Sequence, residues 1–309
     1  MIQSERVRIG DLLRRPIHSR QFILDGIKYA LETGSGYAAG KLGPSELHWM
    51  IYPVLKEQGT SRIGILDFEK KLKHHALKNS GLFPADLDFY LQYNNYFVPH
   101  VMNMDSLGVF LNLDRMENVV IGHYGLHNLV HFMDQEPDRS IPQRPDRCYL
   151  PFFRGKKILL ICPFAKLLKQ RANKSDFDGV WAKTGKKWFY PETVDAIEFP
   201  YGFSTETHLR YSTVLNLIDE IHDEIRTRKF DIALIGAGGI AIPLASTIKD
   251  MGKIAIDLGG HLQVLFGVIG KRWREEGDWA DRYFTDSWID MPTEYRPKEI
   301  DVCDHGAYW

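Results

Sequence analysis

Three stretches of the second half, "KKILLIC" (156–162), "DIALIGAG" (231–238) and "KIAIDLGG" (253–260), are near-continuous apolar runs of strand length. Runs of this kind suit strands buried on both faces, because an antiparallel strand with one wet face would alternate. Segments with helical spacing follow or separate them: "PFAKLLKQRAN", "TVLNLIDEIHDEIRTRKF" and "AIPLASTIKDMG". Strands alternating with helices predict an α/β fold: one Rossmann-like, doubly wound, mostly parallel sheet with helices on both faces. Ligands bind beyond the carboxyl ends of such strands, so the loops at Pro163, Gly236 to Gly239 and Asp257 to His261 are expected to share one rim.

The first half gives weaker signals. "DGIKYALETG" reads as a helix closed by glycine and "GYAAGKLG" as a short strand and turn. "SELHWMIYPVLKEQ" reads as a helix capped by Ser45, and "ADLDFYLQYNNYFVPHV" as another helix. "DSLGVFLN" and "NVVIG" read as strands, whereas "GHYGLHNLVHFMDQ" leaves helix and strand open. Prolines 137, 142, 145 and 151 mark a long connection. The chain of 309 residues is expected to form a single domain over 1–309, with an N-terminal half 1–150 and a nucleotide-binding-like half 151–309.

Composition excludes several classes. A formal net charge of −1 gives no basic stripe for nucleic acid. Nowhere do about 18 uncharged apolar residues run together, so no membrane span is expected. The opening "MIQSERVRIGDLLRR" has no apolar core of signal-peptide length. Cys148, Cys162 and Cys303 are widely spaced and form no CxxC pair, which suits a reducing cytoplasm.

Several residues could carry chemistry. Gly236, Gly238 and Ala241 fit G-x-G-x-x-[GA], and Asp257 lies about 20 residues on, where a dinucleotide fold places its ribose-binding acid. The turn Gly236-Ala237-Gly238-Gly239 can face backbone N–H groups to an anion, or it can be a tight turn without a ligand. Gly259, Gly260 and His261 form a second such turn. The fingerprint usually opens a nucleotide domain, but here a strong α/β strand precedes it, which weakens the NAD(P)-dependent oxidoreductase reading. Glu46 lies in the first turn of a helix just after Gly43, where a carboxylate can accept a proton or hold a sugar hydroxyl, or simply complement the helix dipole. His123, His127 and His131 would share one face of a continuous helix at metal-ligand spacing, but Gly125 weakens that helix, and no metal site is assigned. Lys271 and Arg272 could clamp a diphosphate, with Trp273, Trp279 and Trp288 as stacking or packing groups. The closing "GAYW" is expected to dock on the body.

The blocks "FDIALIGAGGIAIPLASTIKDMGKIAIDLGGHLQVLFGVIGKRW", "KILLICPFAKLLKQ", "KLGPSELHW", "LKNSGLFP" and "GAYW" together resemble the GT-D-type glycosyltransferases of bacterial polysaccharide and glycoprotein assembly. The resemblance implies a single Rossmann-like domain that moves a hexose from a UDP-sugar to a glycan or glycoprotein acceptor, with a divalent metal such as Mn or Mg. A homodimer is a possible assembly. The family's G-D-x-E motif keeps Gly43 and Glu46 in this chain, but Pro44 occupies the aspartate's position and cannot ligate a cation. Glu46 would then act alone or with a carboxylate from elsewhere, such as Asp105. A noncatalytic nucleotide- or sugar-binding relative is the alternative.

Overall fold

The apolar runs of the second half lie side by side in one parallel sheet. A computed structural model shows this, describing residues 17–58, 62–110, 115–137, 147–275, 277–299 and 306–309. Its strands are β1 (Ile17–His18), β2 (Tyr37–Lys41), β3 (Ser106–Val109), β4 (Leu129–His131), β5 (Lys157–Ile161), β6 (Thr193–Ile197), β7 (Ile232–Ile235) and β8 (Ile254–Asp257). They are ordered β1-β4-β3-β2-β8-β7-β5-β6. Every pairing in that sheet is parallel. Cys303, Pro142, Pro145 and the opening segment 1–16 lie outside the described residues.

Successive residues of the central strands feed two cores. Leu159, Ile161, Ala233 and Ile235 pack on one face, with helices Pro44–Glu57, Leu87–Met102, Val214–Thr227 and Ala241–Asp250. Ile158, Leu160, Ile232 and Leu234 pack on the other, with helices Arg20–Thr33 and Ala165–Arg171. That double burial is why these strands read as continuous apolar runs.

The two halves of the chain meet where β2 pairs with β8, Ala38 beside Ala255. Small residues are needed there because helix Ala241–Asp250 crosses closely. A Cβ on Gly40 would stand 2.9 Å from the Ile242 side chain, and one on Gly36 would overlap the Lys249 carbonyl. The chain runs outward from β5 to β6 and then turns back through β7 to β8. Strands β5 and β7 therefore flank a topological switch point, where a crevice opens at the carboxyl ends.

Local expectations fared unevenly. Gly34 closes helix Arg20–Thr33 in the left-handed conformation (φ 71°), its N–H bonded to the Ala30 carbonyl. Ser45 is not the cap of helix Pro44–Glu57: Gly43 is, with Pro44 in the first turn, where proline's missing N–H costs nothing. "NVVIG" is not a strand but part of helix Arg115–Tyr124, whose Val120 and Ile121 are buried. The helix ends at Gly125 (φ 67°), so His123 closes a helix, His127 lies in the connection and His131 sits on β4. The shared face required for joint metal binding does not form. Strand β6 was not foreseen, because "TVDAI" is an exposed edge with only its last two residues buried.

Candidate active site

Five connections meet over the carboxyl ends of β5 to β8. A cleft there is lined by residues 79–81, 163–164, 199, 201–203, 236–238, 259–260 and 308–309. It encloses about 670 Å³ when the open solvent of its mouth is counted. It sits at the switch point between β5 and β7.

The glycines let these backbones touch. A Cβ on Gly202 would lie 2.2 Å from the Gly81 carbonyl oxygen, and one on Gly236 would lie 2.9 Å from that of Gly259. Gly238 adopts φ 53°, a conformation that favours glycine. The N–H groups of this region are partly spent inside the protein. Gly236 donates to the Ile161 carbonyl at 2.9 Å, Gly239 to the Ser80 carbonyl at 3.0 Å, and Gly259 to Asp257 Oδ1 at 2.9 Å. The N–H groups of Ala237, Gly238 and Gly260, all on the cleft wall, have no acceptor among the described residues.

Behind this wall lies a pair of buried carboxylates. Glu46 folds back over its own helix N-terminus, where a Cβ on Gly43 would stand 2.7 Å from Oε2, and its Oε1 lies 3.5 Å from the Ser80 hydroxyl. Burial pushes Glu46 up to about 7 against the pull of its own backbone N–H, and the nearby charge of Asp257 adds to the rise. Asp257 is likewise raised by burial, to about 6, despite the Lys41 ammonium. Its two oxygens accept the N–H groups of Gly259 and Lys41. Lys41 Nζ in turn bonds Glu136 at 2.9 Å, and His261 Nδ1 lies 3.4 Å from the other oxygen of Glu136.

The residues singled out in the sequence thus separate into groups. Ala237, Gly238, Gly236, Gly259 and Gly260 line the cleft, and Gly239 lies one residue beyond it, its carbonyl accepting the Tyr93 hydroxyl. Gly43, Glu46 and Asp257 lie directly behind, and His261 points into the Glu136 network. Asp105 is not brought to this rim. It precedes β3 at the amino edge of the sheet, where it bonds Lys249 Nζ at 2.8 Å and the Ala38 N–H at 2.9 Å. Lys271 and Arg272 do not line the cleft either. The Arg272 guanidinium lies over the Tyr308 ring at 5.1 Å, while the backbones of both residues receive the chain's closing segment. Trp273, Trp279 and Trp288 are buried packing groups.

Sequence reasoning missed the remaining walls. "PYGFST" places Tyr201 and Phe203 around Gly202, and "KNSG" supplies Asn79 to Gly81. A glycine between two aromatics next to a proline was the available signal. "GAYW" docks as expected, with the Tyr308 carbonyl accepting from Gln263 Nε2 at 3.0 Å, but it also walls the cleft.

Among the described residues no helix is long and apolar enough to cross a membrane, and no group of three or more metal-ligating side chains occurs. No curated protein and no solved structure matches the chain. A family model does match: residues 207–265 fit the GT-D fold-like domain. The matched segment carries β7, β8 and both glycine turns of the cleft, and over it the chain is similar to the GT-D fold-like family.

Proposed function

We propose that the protein is a glycosyltransferase that moves a hexose from a nucleoside-diphosphate sugar, of the UDP type, to a hydroxyl of a glycan or glycoprotein. The observation that carries this reading is the juxtaposition of three acceptor-free N–H groups, at Ala237, Gly238 and Gly260, with the Glu46 carboxylate behind Ser80. The N–H groups suit the charge that develops on a departing diphosphate. In the reaction the acceptor oxygen bonds to the anomeric carbon as the bond from that carbon to the diphosphate oxygen breaks. The acceptor's proton passes to Glu46 through the Ser80 hydroxyl, which lines the cleft and gives its own proton to Glu46 Oε1 as it receives the acceptor's, a transfer for which a carboxylate titrating near 7 is well matched.

The donor set does not fit a resident divalent ion. Pro44 offers no ligand, and Glu46 and Asp257 both lie buried outside the cleft lining, whereas such an ion is held by one or two carboxylates beside the substrate's phosphates. No step is therefore routed through a metal. The nicotinamide reading is weakened at the same residue, since Asp257 is buried and does not line the cleft in which a ribose would lie.

The experiment is a transfer and hydrolysis assay with UDP-sugars, with and without EDTA, on wild type and Glu46→Gln. Turnover lost in the variant but retained with EDTA is expected. A wild-type protein stabilised by UDP yet without turnover on any donor would instead favour a noncatalytic binder.

A further inference from the structure

The cleft has a chemical character that glycosyl transfer by itself does not require. No Lys, Arg, Asp or Glu side chain lines it among the described residues; beside the glycine turns its lining is largely aromatic. Tyr201 and Trp309 meet edge to face with centroids 5.2 Å apart, and Phe203 lies 6.2 Å from Trp309. Phe203 is buried, whereas Tyr201 and Trp309 are only half-buried.

These rings are fixed in place. The Tyr201 hydroxyl donates to the Tyr295 carbonyl at 2.8 Å. The segment bearing Trp309 is held from behind: a Cβ on Gly270 would stand 2.6 Å from the Ala307 carbonyl, and the Lys271 N–H donates to the Trp309 carbonyl. Segments far apart in the chain thus fix an aromatic surface in the same cleft as the backbone of the glycine turns. A site built to select phosphate by charge would present Arg or Lys at this distance. A flat ring entering such a slot gains stacking on one side and loses no hydrogen bonds to an unpaired charge.

We propose that the cleft selects its ligand by ring rather than by charge: the base of a nucleotide stacks on Trp309 and meets Tyr201 edge to face, and its phosphates reach the N–H groups of the glycine turns. This rests on the nucleoside-diphosphate reading above and assigns to the rings the larger part of the binding. Two consequences follow from the physics. Affinity for the nucleotide depends weakly on salt, because no cationic side chain is neutralised. Binding also tolerates loss of the phosphates better than loss of the base.

The test is calorimetric titration of the full chain with UDP, uridine, inorganic pyrophosphate and methyl glucoside, at low and high salt. Expected are binding of UDP and uridine, little of pyrophosphate, and a loss of roughly tenfold or more for UDP in Trp309→Ala that Trp309→Phe largely restores. Tyr201→Leu provides a second reading if Trp309→Ala does not fold. UDP affinity unchanged in a folded Trp309→Ala or Tyr201→Leu protein overturns the ring assignment and leaves the transferase reading standing. Pyrophosphate binding as tightly as UDP, or methyl glucoside binding where uridine does not, overturns it as well. Failure of every nucleotide to bind the folded wild type removes both proposals.

Discussion

The carbonyl of Ser80 accepts the N–H of Gly239 at 3.0 Å, while the hydroxyl of the same serine lies 3.5 Å from Glu46 Oε1. One residue in the loop after a helix of the first half thereby ties the glycine turn after β7 to the carboxylate that follows β2. These loops are far apart in the chain, and their convergence is what a parallel sheet with a switch point provides. The Ser80 contact also means that changes at Glu46 are felt by the cleft wall.

Glu46→Gln is expected to lower kcat by roughly 10²–10⁴-fold if the carboxylate takes the acceptor's proton. Because Glu46 must be ionised to do so and is raised to about 7, wild-type kcat/KM should climb through pH 7 and level off above it. The residual activity of the variant should lack that step. A pH–rate profile of both proteins checks this, and an unchanged profile in the variant removes Glu46 from the proton transfer.

The same raised value makes a separate statement about stability. A carboxyl group with a native value near 7 and an ordinary unfolded value near 4.5 binds more protons when folded between those limits. Stability therefore falls as pH rises from about 4.5 to 7, and the cost is fully present above 7. The difference between the two values corresponds to roughly 3 kcal/mol. Glu46→Gln removes the ionisation, so it should unfold later than wild type in urea at pH 8 and nearly with it at pH 4.5.

The sheet was legible in the sequence because β5, β7 and β8 are buried on both faces, which leaves a pattern that survives without an alignment. Edge strand β6 and the helix at "NVVIG" were not, since tertiary packing overrides propensity in short segments. The glycine turns were found because close backbone approach demands that residue. Tyr201, Phe203 and Trp309 were missed for a different reason: an aromatic on a cleft wall and one in a core look alike in sequence. Trp273 and Trp279, which drew attention, prove to be core. Asp105 could be placed only once β3 had a direction, because the start and the end of a strand are on opposite sides of the sheet.

Gly202→Ala should narrow the cleft, which Gly202 lines. The added methyl would overlap the Gly81 carbonyl oxygen, a backbone atom that cannot rotate aside. The expected cost is roughly 1–3 kcal/mol, together with weakened nucleotide binding. Gly155→Ala supplies the contrast: its φ of 69° gives strain, but no heavy atom lies within 4 Å of its Cβ position and it is not on the cleft. Denaturant melts and UDP titrations on both separate general strain from closure of the site.

Asp105→Asn should leave turnover unchanged. The Asp105 carboxylate bonds Lys249 at the amino edge of the sheet, where both side chains are partly exposed, so the pair contributes less than about 1 kcal/mol. Asparagine keeps an oxygen for the Ala38 N–H. A loss of kcat with normal stability in this variant would contradict the placement of the active site at the carboxyl edge.

Lys41 and Glu136 offer the sharpest view of how the rim is held. Their ion pair is 2.9 Å long with side chains 14% and 9% exposed, so both charges have left most of their water. Lys41→Met leaves the Glu136 carboxylate buried beside His261 and removes the ammonium that opposes the rise at Asp257. Breaking one side of such a pair costs about 3–5 kcal/mol, whereas replacing both charges by neutral groups costs far less. Urea melts should therefore show Lys41→Met strongly destabilised and the double variant Lys41→Met/Glu136→Gln recovering most of the loss. The double variant also separates support from chemistry. If Lys41 only shapes the turn at Asp257 to Gly260, recovered stability should bring recovered nucleotide binding. Recovered stability without binding would instead make the ammonium itself part of the site's electrostatics, acting on the ligand through Asp257.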